Sequence, residues 1–372
     1  MQRVATGAPG ASDYRELGNT RHRESLAAAV RLGLPATDVI SLGYSDGGTD
    51  SMWSGSWDPA HPYAGRSDSA EVPYPWAYRP AAVQCGQDIA ADLTQIVKTF
   101  SPDTVIAPDP RETNLDHAAI GAFTMYSLDV ADFTGHRLTA VVHFKHFPYP
   151  WAYLPSAGMA PPPHLMEPGA EWLALPITTA SEAAKKAAFE EYRSQTAIVD
   201  LAWYMRAFVR TNELFCRRAP SIPAVAATDD RPGAGDLGTI AVTPVPVIPA
   251  TALNPARVSA LRMVRGPSAV WFGVVCDGRI DPRTEYRVGV RLVGGGTAPR
   301  RLDLLVRDGS VQALPIADDS LLPIGLSTVA DGDTLWISVP ASVLEGRTRA
   351  VVGSSSAIGT RTWRTPWVDV QL

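Results

Sequence analysis

Residues 103–121, DTVIAPDPRETNLDHAAIG, set His117 among several carboxylates within a few turns of chain. A histidine grouped with carboxylates suits a metal site or acid–base catalysis. The same mixture of Asp, Thr and Pro is also ordinary turn chemistry, so spacing alone leaves both readings open. Position adds information. Val105, Ile106 and Ala107 form a short apolar run that reads as a buried strand, and Asp116-His117 opens a helix expected over 118–128. Open α/β sheets bind ligands at such places, outside the carboxyl ends of their strands.

The elements that must position this loop are legible as periods. Asn19 or Thr20 can cap a helix running to about residue 32, with Leu26 and Val30 on its buried side and Gly33 ending it. Residues 38–44, DVISLGY, read as a strand followed by a Ser45-Asp46-Gly47-Gly48 turn. Cys85, Ile89, Leu93 and Ile96 fall at helical spacing. Further strands are expected over 138–144 and 171–177. Thr179-Ala180-Ser181-Glu182 has capping-box spacing for a helix through residue 192, and a second helix carries Leu201, Met205 and Phe208. This alternation predicts an α/β fold, a parallel sheet with helices on both faces. Residues 49–80, rich in Trp, Tyr, Pro and Ser without a period, read as a lid or substrate loop.

Residues 219–255 are Pro-, Ala-, Gly- and Asp-rich and read as a linker. Beyond it come VSALRMV, AVWFGVV, YRVGVRLV, RLDLLVRD, TLWISVP, RAVVGSS and WVDVQL, separated by Gly, Pro or Asp turns. That texture predicts an all-β sandwich over 256–372. A chain of 372 residues suits such a two-domain division.

A net charge of −5 argues against a nucleic-acid partner. No apolar run reaches the ~18–20 residues of a membrane span. Cys85, Cys216 and Cys276 lie far apart and read as buried thiols of a reducing compartment, with a cytoplasmic location expected. Oligomeric state is not readable.

The first 218 residues resemble the PIG-L (LmbE-like) zinc-dependent N-acetyl-sugar deacetylases. Four blocks carry the resemblance: TRHRESLAAAVRLGL with its Arg-x-x-Glu, LGYSDGG, DTVIAPDPRETNLDHAAIG, and the run from VVHFKHFPYP through KKAAFEEYRSQ to FVRTNELF, which is similar to a bacterial subgroup. It implies a Rossmann-like domain over 1–218, a zinc cofactor, and an N-acetylglucosamine-containing sugar or glycan as substrate. His117 matches the last histidine of the family's His-Pro-Asp-His loop, and is thereby implied as a zinc ligand. Asn114 stands where that motif's first histidine is expected, facing the oxyanion. The resemblance implies Arg21 and Asp46 (or Asp50) as holders of sugar hydroxyls; beside it, Asp116 reads as a partner orienting His117, and His143, at a strand end, either faces the pocket or is a hydrogen-bonded core residue.

The family's His-Pro-Asp-Asp motif, with two ligands and the general base, finds no counterpart. His61-Pro62 continues as Tyr63-Ala64. The family's first strand–helix–strand is likewise unmatched. The chain as given is therefore expected not to turn over. A start assigned too far downstream and a degenerate, non-catalytic carbohydrate-binding or scaffold protein are the two explanations. With DTLWISVPASVLEG followed by TPWVDVQL, about 100 C-terminal residues resemble carbohydrate-binding-like domains of the DOMON and glucodextranase type, with Trp271, Trp336, Trp363 and Trp367 either a sugar platform or buried core. Trp53, Trp57, Trp76 and Tyr78 either stack on sugar or pack their own loop.

Overall fold

A computed structural model describes residues 9–167, 169–233, 238–243 and 254–372. The chain divides into two compact units, one of residues 1–92, 114–116 and 137–218, the other of residues 93–113, 117–136 and 219–372. The first part of the chain is α/β and the C-terminal part is β-rich.

In the first unit, helix α1 spans Ala11–Arg31 and begins well before Asn19, because the Asp13 carboxylate accepts from the Gly10 amide at 2.9 Å and supplies an earlier cap. The short helix α2 (Thr49–Ser54) follows the Ser45–Gly48 turn. Met52, Trp53 and Trp57 are fully buried, and the two indoles meet edge to face at 5.6 Å. Helix α3 spans Gly86–Phe100, and a Cβ at its Gly86 would fall 2.4 Å from the Met52 carbonyl. The segment expected as a lid is thus core at its Trp53 and Trp57.

Residues 38–44 form no strand. Val39 is extended, but beyond the local turn bonds of Asp38 and Val39 the segment is met by Tyr78 N–H on the Ser41 carbonyl at 2.8 Å, and by no ladder.

Strand β1 spans Thr104–Pro108, helix α4 Leu115–Val130, and strand β2 His136–Ala140. Strand β3 (Ala170–Pro176) leads into helices α5 (Thr179–Glu191), α6 (Arg193–Thr196) and α7 (Val199–Arg206), and then strand β4 (Asn212–Arg218). Thr178 caps α5, its hydroxyl accepting from the Ser181 amide at 3.1 Å.

The pairings β3–β4 and β2–β4 are antiparallel, where a parallel sheet was expected. Ile177 and Thr211, the residues just after β3 and just before β4, are bonded to each other, N–H to carbonyl at 2.9 Å. The three helices return the chain to the end it left, and a strand re-entering there must run backwards. A crossover to a parallel strand would deliver it to the opposite end. Glu24 of α1 accepts from the Ser194 amide and hydroxyl, both at 2.7 Å, tying α1 to α6.

In the second unit, six-stranded, mostly antiparallel sheets make a sandwich. One contains β9 (Glu285–Val293), β10 (Arg300–Arg307), β11 (Ser310–Ala313), β14 (Arg349–Ile358), β15 (Arg361–Arg364) and β16 (Val368–Gln371). The other contains β7 (Val258–Arg265), β8 (Ala269–Cys276), β12 (Ser327–Asp331) and β13 (Thr334–Pro340), with β5 (Ala224–Val225) and β6 (Thr239–Val242) at its β7 side. The β5–β7 pair is parallel. The stretch expected as a linker therefore supplies two strands, while its residues 234–237 and 244–253 lie outside the described residues.

Alternation places Val288, Val290, Leu302, Leu304, Ala350 and Val352 in the core between the sheets. Part of the opposite face of the first of these sheets is also buried. Arg291 and Arg301 there both bond Asp303, at 3.0 and 2.6 Å. Burial pushes Arg291 down to about 10. Helix α4 contributes to this face: Arg349 pairs with Asp129 at 3.4 Å and also with Asp369. Burial, and then the charge of Asp319, raises the Tyr126 phenol above its ordinary range.

Trp271 and Trp336 are buried, and Trp363 and Trp367 half-buried, which favours packing over a sugar platform. Gly289 and Gly353 make room for the Trp367 ring, where a Cβ would fall 2.6–2.7 Å from it. All three cysteines are free and buried, and burial pushes Cys85 up to about 11 and Cys276 to about 12. No helix among the described residues is long and apolar enough to cross a membrane.

Candidate functional site

The loop between β1 and α4 is built by its own charges. Arg111 folds back on Asp109, donating its backbone amide (2.9 Å) and Nε (2.8 Å) to Oδ1 and Nη2 to Oδ2 (2.7 Å). Both side chains are about 1% exposed. A forked guanidinium–carboxylate pair of this kind fixes direction as well as charge. The Glu112 amide then donates to the Asp109 carbonyl at 3.0 Å. Gly121 lets α4 approach the end of β1, since a Cβ there would fall 2.5 Å from the Pro108 carbonyl.

The result is a carboxylate–imidazole pair. Glu112 Oε2 lies 2.7 Å from Nδ1 of His117, with the carboxylate wholly buried and the imidazole 33% exposed. A carboxylate beside Nδ1 favours the tautomer with its proton there, in which Nε2 carries the lone pair that ligates metals or accepts a proton. Sequence reasoning gave the orienting role to Asp116 and missed Glu112. Its signal was its place, five residues before His117 in the turn that must fold back on the helix start.

Asp116 is engaged elsewhere. Its carboxylate accepts from the Gly47 amide (2.5 Å), the Thr49 amide (3.1 Å) and the Thr49 hydroxyl (2.6 Å). It thereby secures the turn that carries Asp46, whose side chain is exposed. Gln84 holds the same turn from the Ser45 amide at 2.9 Å. Behind it, Tyr44 donates to Asp92 at 2.6 Å, and Arg79 Nε donates to the same carboxylate at 2.8 Å. Burial and then the Asp92 hydrogen bond push the Tyr44 phenol well above its ordinary range.

Asn114 acts as a helix cap. Its side-chain oxygen accepts from the Asp116 amide at 2.9 Å, in the first turn of α4. Arg21 lies half-buried on α1 and makes no hydrogen bond or ion pair with a described residue. His22 beside it bonds Ser41 at 3.0 Å and stacks on Trp76 at 4.0 Å. Desolvation, then Arg23, lowers the His22 imidazole's pKa. His143 follows β2, its ring nearly parallel to that of Tyr204 at 5.5 Å. The structure thus joins Asp116 to the Asp46 turn and Asn114 to the start of α4, and it brings neither Arg21 nor Asp46 into a bond with them.

Zinc in a hydrolytic site needs three protein ligands and an open position. Among the described residues no group of three or more His, Cys, Asp and Glu side chains is placed to hold a metal. The His117–Glu112 pair offers one imidazole, with the carboxylate given to its Nδ1. The described residues do not complete a zinc site.

An α/β part with a polar, charge-built loop between a strand and a helix, presenting an oriented imidazole, has the organisation of a site for a small polar ligand. Residues 3–127, about a third of the chain, match the PIG-L family, described as GlcNAc-PI de-N-acetylase. No curated protein and no solved structure gave a match.

Proposed function

We propose that the chain acts on an N-acetylglucosamine-containing sugar or glycoconjugate, with hydrolysis of the acetamide as its reaction. The observation that carries this reading is the Glu112-oriented His117, standing at the head of α4 within the stretch that matches PIG-L. In this reading His117 presents Nε2 to the reacting centre, and Glu112 holds the tautomer. Asn114, with its oxygen used as a cap, offers its amide N–H to the developing oxyanion. Asp46, on the turn secured by Asp116, and Arg21 meet sugar hydroxyls. His143 lines the approach to them. The Rossmann-like ancestry of the α/β part belongs to the same proposal.

A second reading has its own support. The donor set of the described residues falls short of a zinc site, which favours a PIG-L-like protein that binds the sugar without cleaving it. One experiment separates the two. The full chain is incubated with N-acetylglucosamine and with N,N′-diacetylchitobiose, with and without added Zn²⁺, while acetate release and sugar binding are followed. Acetate release that is lost in His117→Ala supports the hydrolase. Binding without release supports the binder. Neither binding nor release refutes both.

A further inference from the structure

A pocket of about 520 Å³ lies in the first unit, lined by Tyr153, Lys186, Glu190, Trp203 and Arg206. Its volume falls in the ~300–1,000 Å³ range of small-molecule sites. The sequence builds it from helical spacing. Lys186 and Glu190 are four apart on α5, and Trp203 and Arg206 three apart on α7, so each pair shares a face. Tyr153 comes from the loop after β2. That loop is pinned from beneath by fully buried Arg210, which donates Nη2 to the carbonyls of Pro150 (2.7 Å) and Ala152 (3.2 Å) and Nε to that of Ala207 (2.7 Å).

The charges in the pocket do not cancel. Arg206 and Glu190 close on one another through a two-pronged pair, Nε to Oε1 at 2.8 Å and Nη2 to Oε2 at 2.9 Å. The Arg206 hydrogen bond holds the Glu190 carboxyl below its ordinary range. Lys186 is left over. Its ammonium lies 4.9 Å from the centre of the Tyr153 ring and has no carboxylate partner within ion-pair distance among the described residues. The pocket therefore carries one net positive charge.

Its aromatic residues are open to solvent, with Trp203 62% and Tyr153 42% exposed. Large exposed aromatics beside fixed polar groups favour a ligand with both a flat apolar face and a polar rim. The Arg206–Glu190 fork supplies donor and acceptor edges together, which suits hydroxyl groups better than a purely aromatic acid. The Lys186 ammonium adds a demand for negative charge.

From this arrangement we infer a binding site for an anionic sugar ring, a uronate. The C–H face of the ring stacks on Trp203, its carboxylate meets Lys186, and its hydroxyls meet the Arg206–Glu190 pair. The inference stands apart from the acetamide chemistry above and requires no turnover.

Saturation-transfer NMR and calorimetry on the full chain test it, with sodium glucuronate, glucose and benzoate as probes. Glucuronate is expected to bind, with glucose about fivefold weaker, the upper end for a solvent-exposed charge pair. Lys186→Met should bring glucuronate down to the glucose level. Trp203→Ala should abolish binding of both sugars, and Trp203→Phe should retain part of it, which separates loss of stacking from loss of fold. No glucuronate binding, equal affinity for glucose, preference for benzoate, or indifference to Trp203→Ala each overturns the inference.

Discussion

Replacing Asp116 by Ala separates two roles that the sequence could not. The carboxylate makes three bonds to the turn of Gly47 and Thr49, whereas the carboxylate on His117 Nδ1 is that of Glu112. A hydrogen bond to a charged group contributes about 1.5–3 kcal/mol net, but bonds that share one half-exposed carboxylate do not add. Asp116 also lies in the first turn of α4, where a negative charge contributes about 0.3–1 kcal/mol. A local loss of about 2 kcal/mol is a conservative sum, equivalent to about a 30-fold change in an opening equilibrium. Amide hydrogen exchange at Gly47 and Thr49 should therefore accelerate about 30-fold in Asp116→Ala. The ¹⁵N shifts of His117 should keep the Nδ1–H pattern. Glu112→Gln should do the reverse, disturbing the His117 tautomer while Gly47 and Thr49 stay protected. Unchanged protection in Asp116→Ala, or a His117 tautomer that follows Asp116 as strongly as Glu112, would refute the assignment.

The remaining predictions concern the second unit. Asp303, buried between Arg291 and Arg301, has its carboxyl held below the ordinary range, because the two guanidiniums outweigh the burial that alone would raise it. A depressed folded pKa contributes stability above the unfolded value of about 3.9 and loses it as pH falls through the folded value. Sandwich stability should fall from about pH 4 downward, and Asp303→Asn should flatten that acid limb while costing about 3–5 kcal/mol at pH 7. A denaturant series at several pH values reads both, and an unchanged acid limb in the variant would discard this account. Gly121→Ala should cost about 1–3 kcal/mol by overpacking α4 against the Pro108 carbonyl. A wild-type melting curve for that variant would show that the close approach is slack.

What could be read from the sequence was what periodicity carries. The seven alternating segments after residue 256 each became a strand, because alternation is the direct signature of a sheet with a buried face. The helix at residue 115 and the capped helix at residue 179 appeared for the same kind of reason. Strand direction was not legible. The antiparallel return of β4 on β3 depends on where three short helices deliver the chain, which no local period encodes. In the site, His117 was legible as chemistry, but its partner was not. Glu112 and Asp116 are both carboxylates close in sequence, and the fold-back of Arg111 on Asp109 decides which of them reaches the ring.

The same limit explains why the β-rich part looked separable. On β9, β10 and β14 the residues opposite the core include Arg287, Gly289, Arg291, Arg301, Asp303 and Arg349, a composition that reads as a solvated face. Arg291, Arg301 and Asp303 are nevertheless buried, and Arg349 reaches Asp129 near the end of α4. Burying charges costs several kcal/mol each unless each is paired, so a face of this kind is tolerated only where something covers it and the pairs are complete. Asp129 is part of that cover. His117 lies 12 residues before Asp129 on the same helix, about 18 Å along its axis. A helix held at one end by the sandwich and presenting the imidazole at the other makes the sandwich part of what positions His117. Substitutions at Arg349, far from any sugar in sequence, would therefore act on the site through α4, and a sandwich removed for convenience would take that support with it.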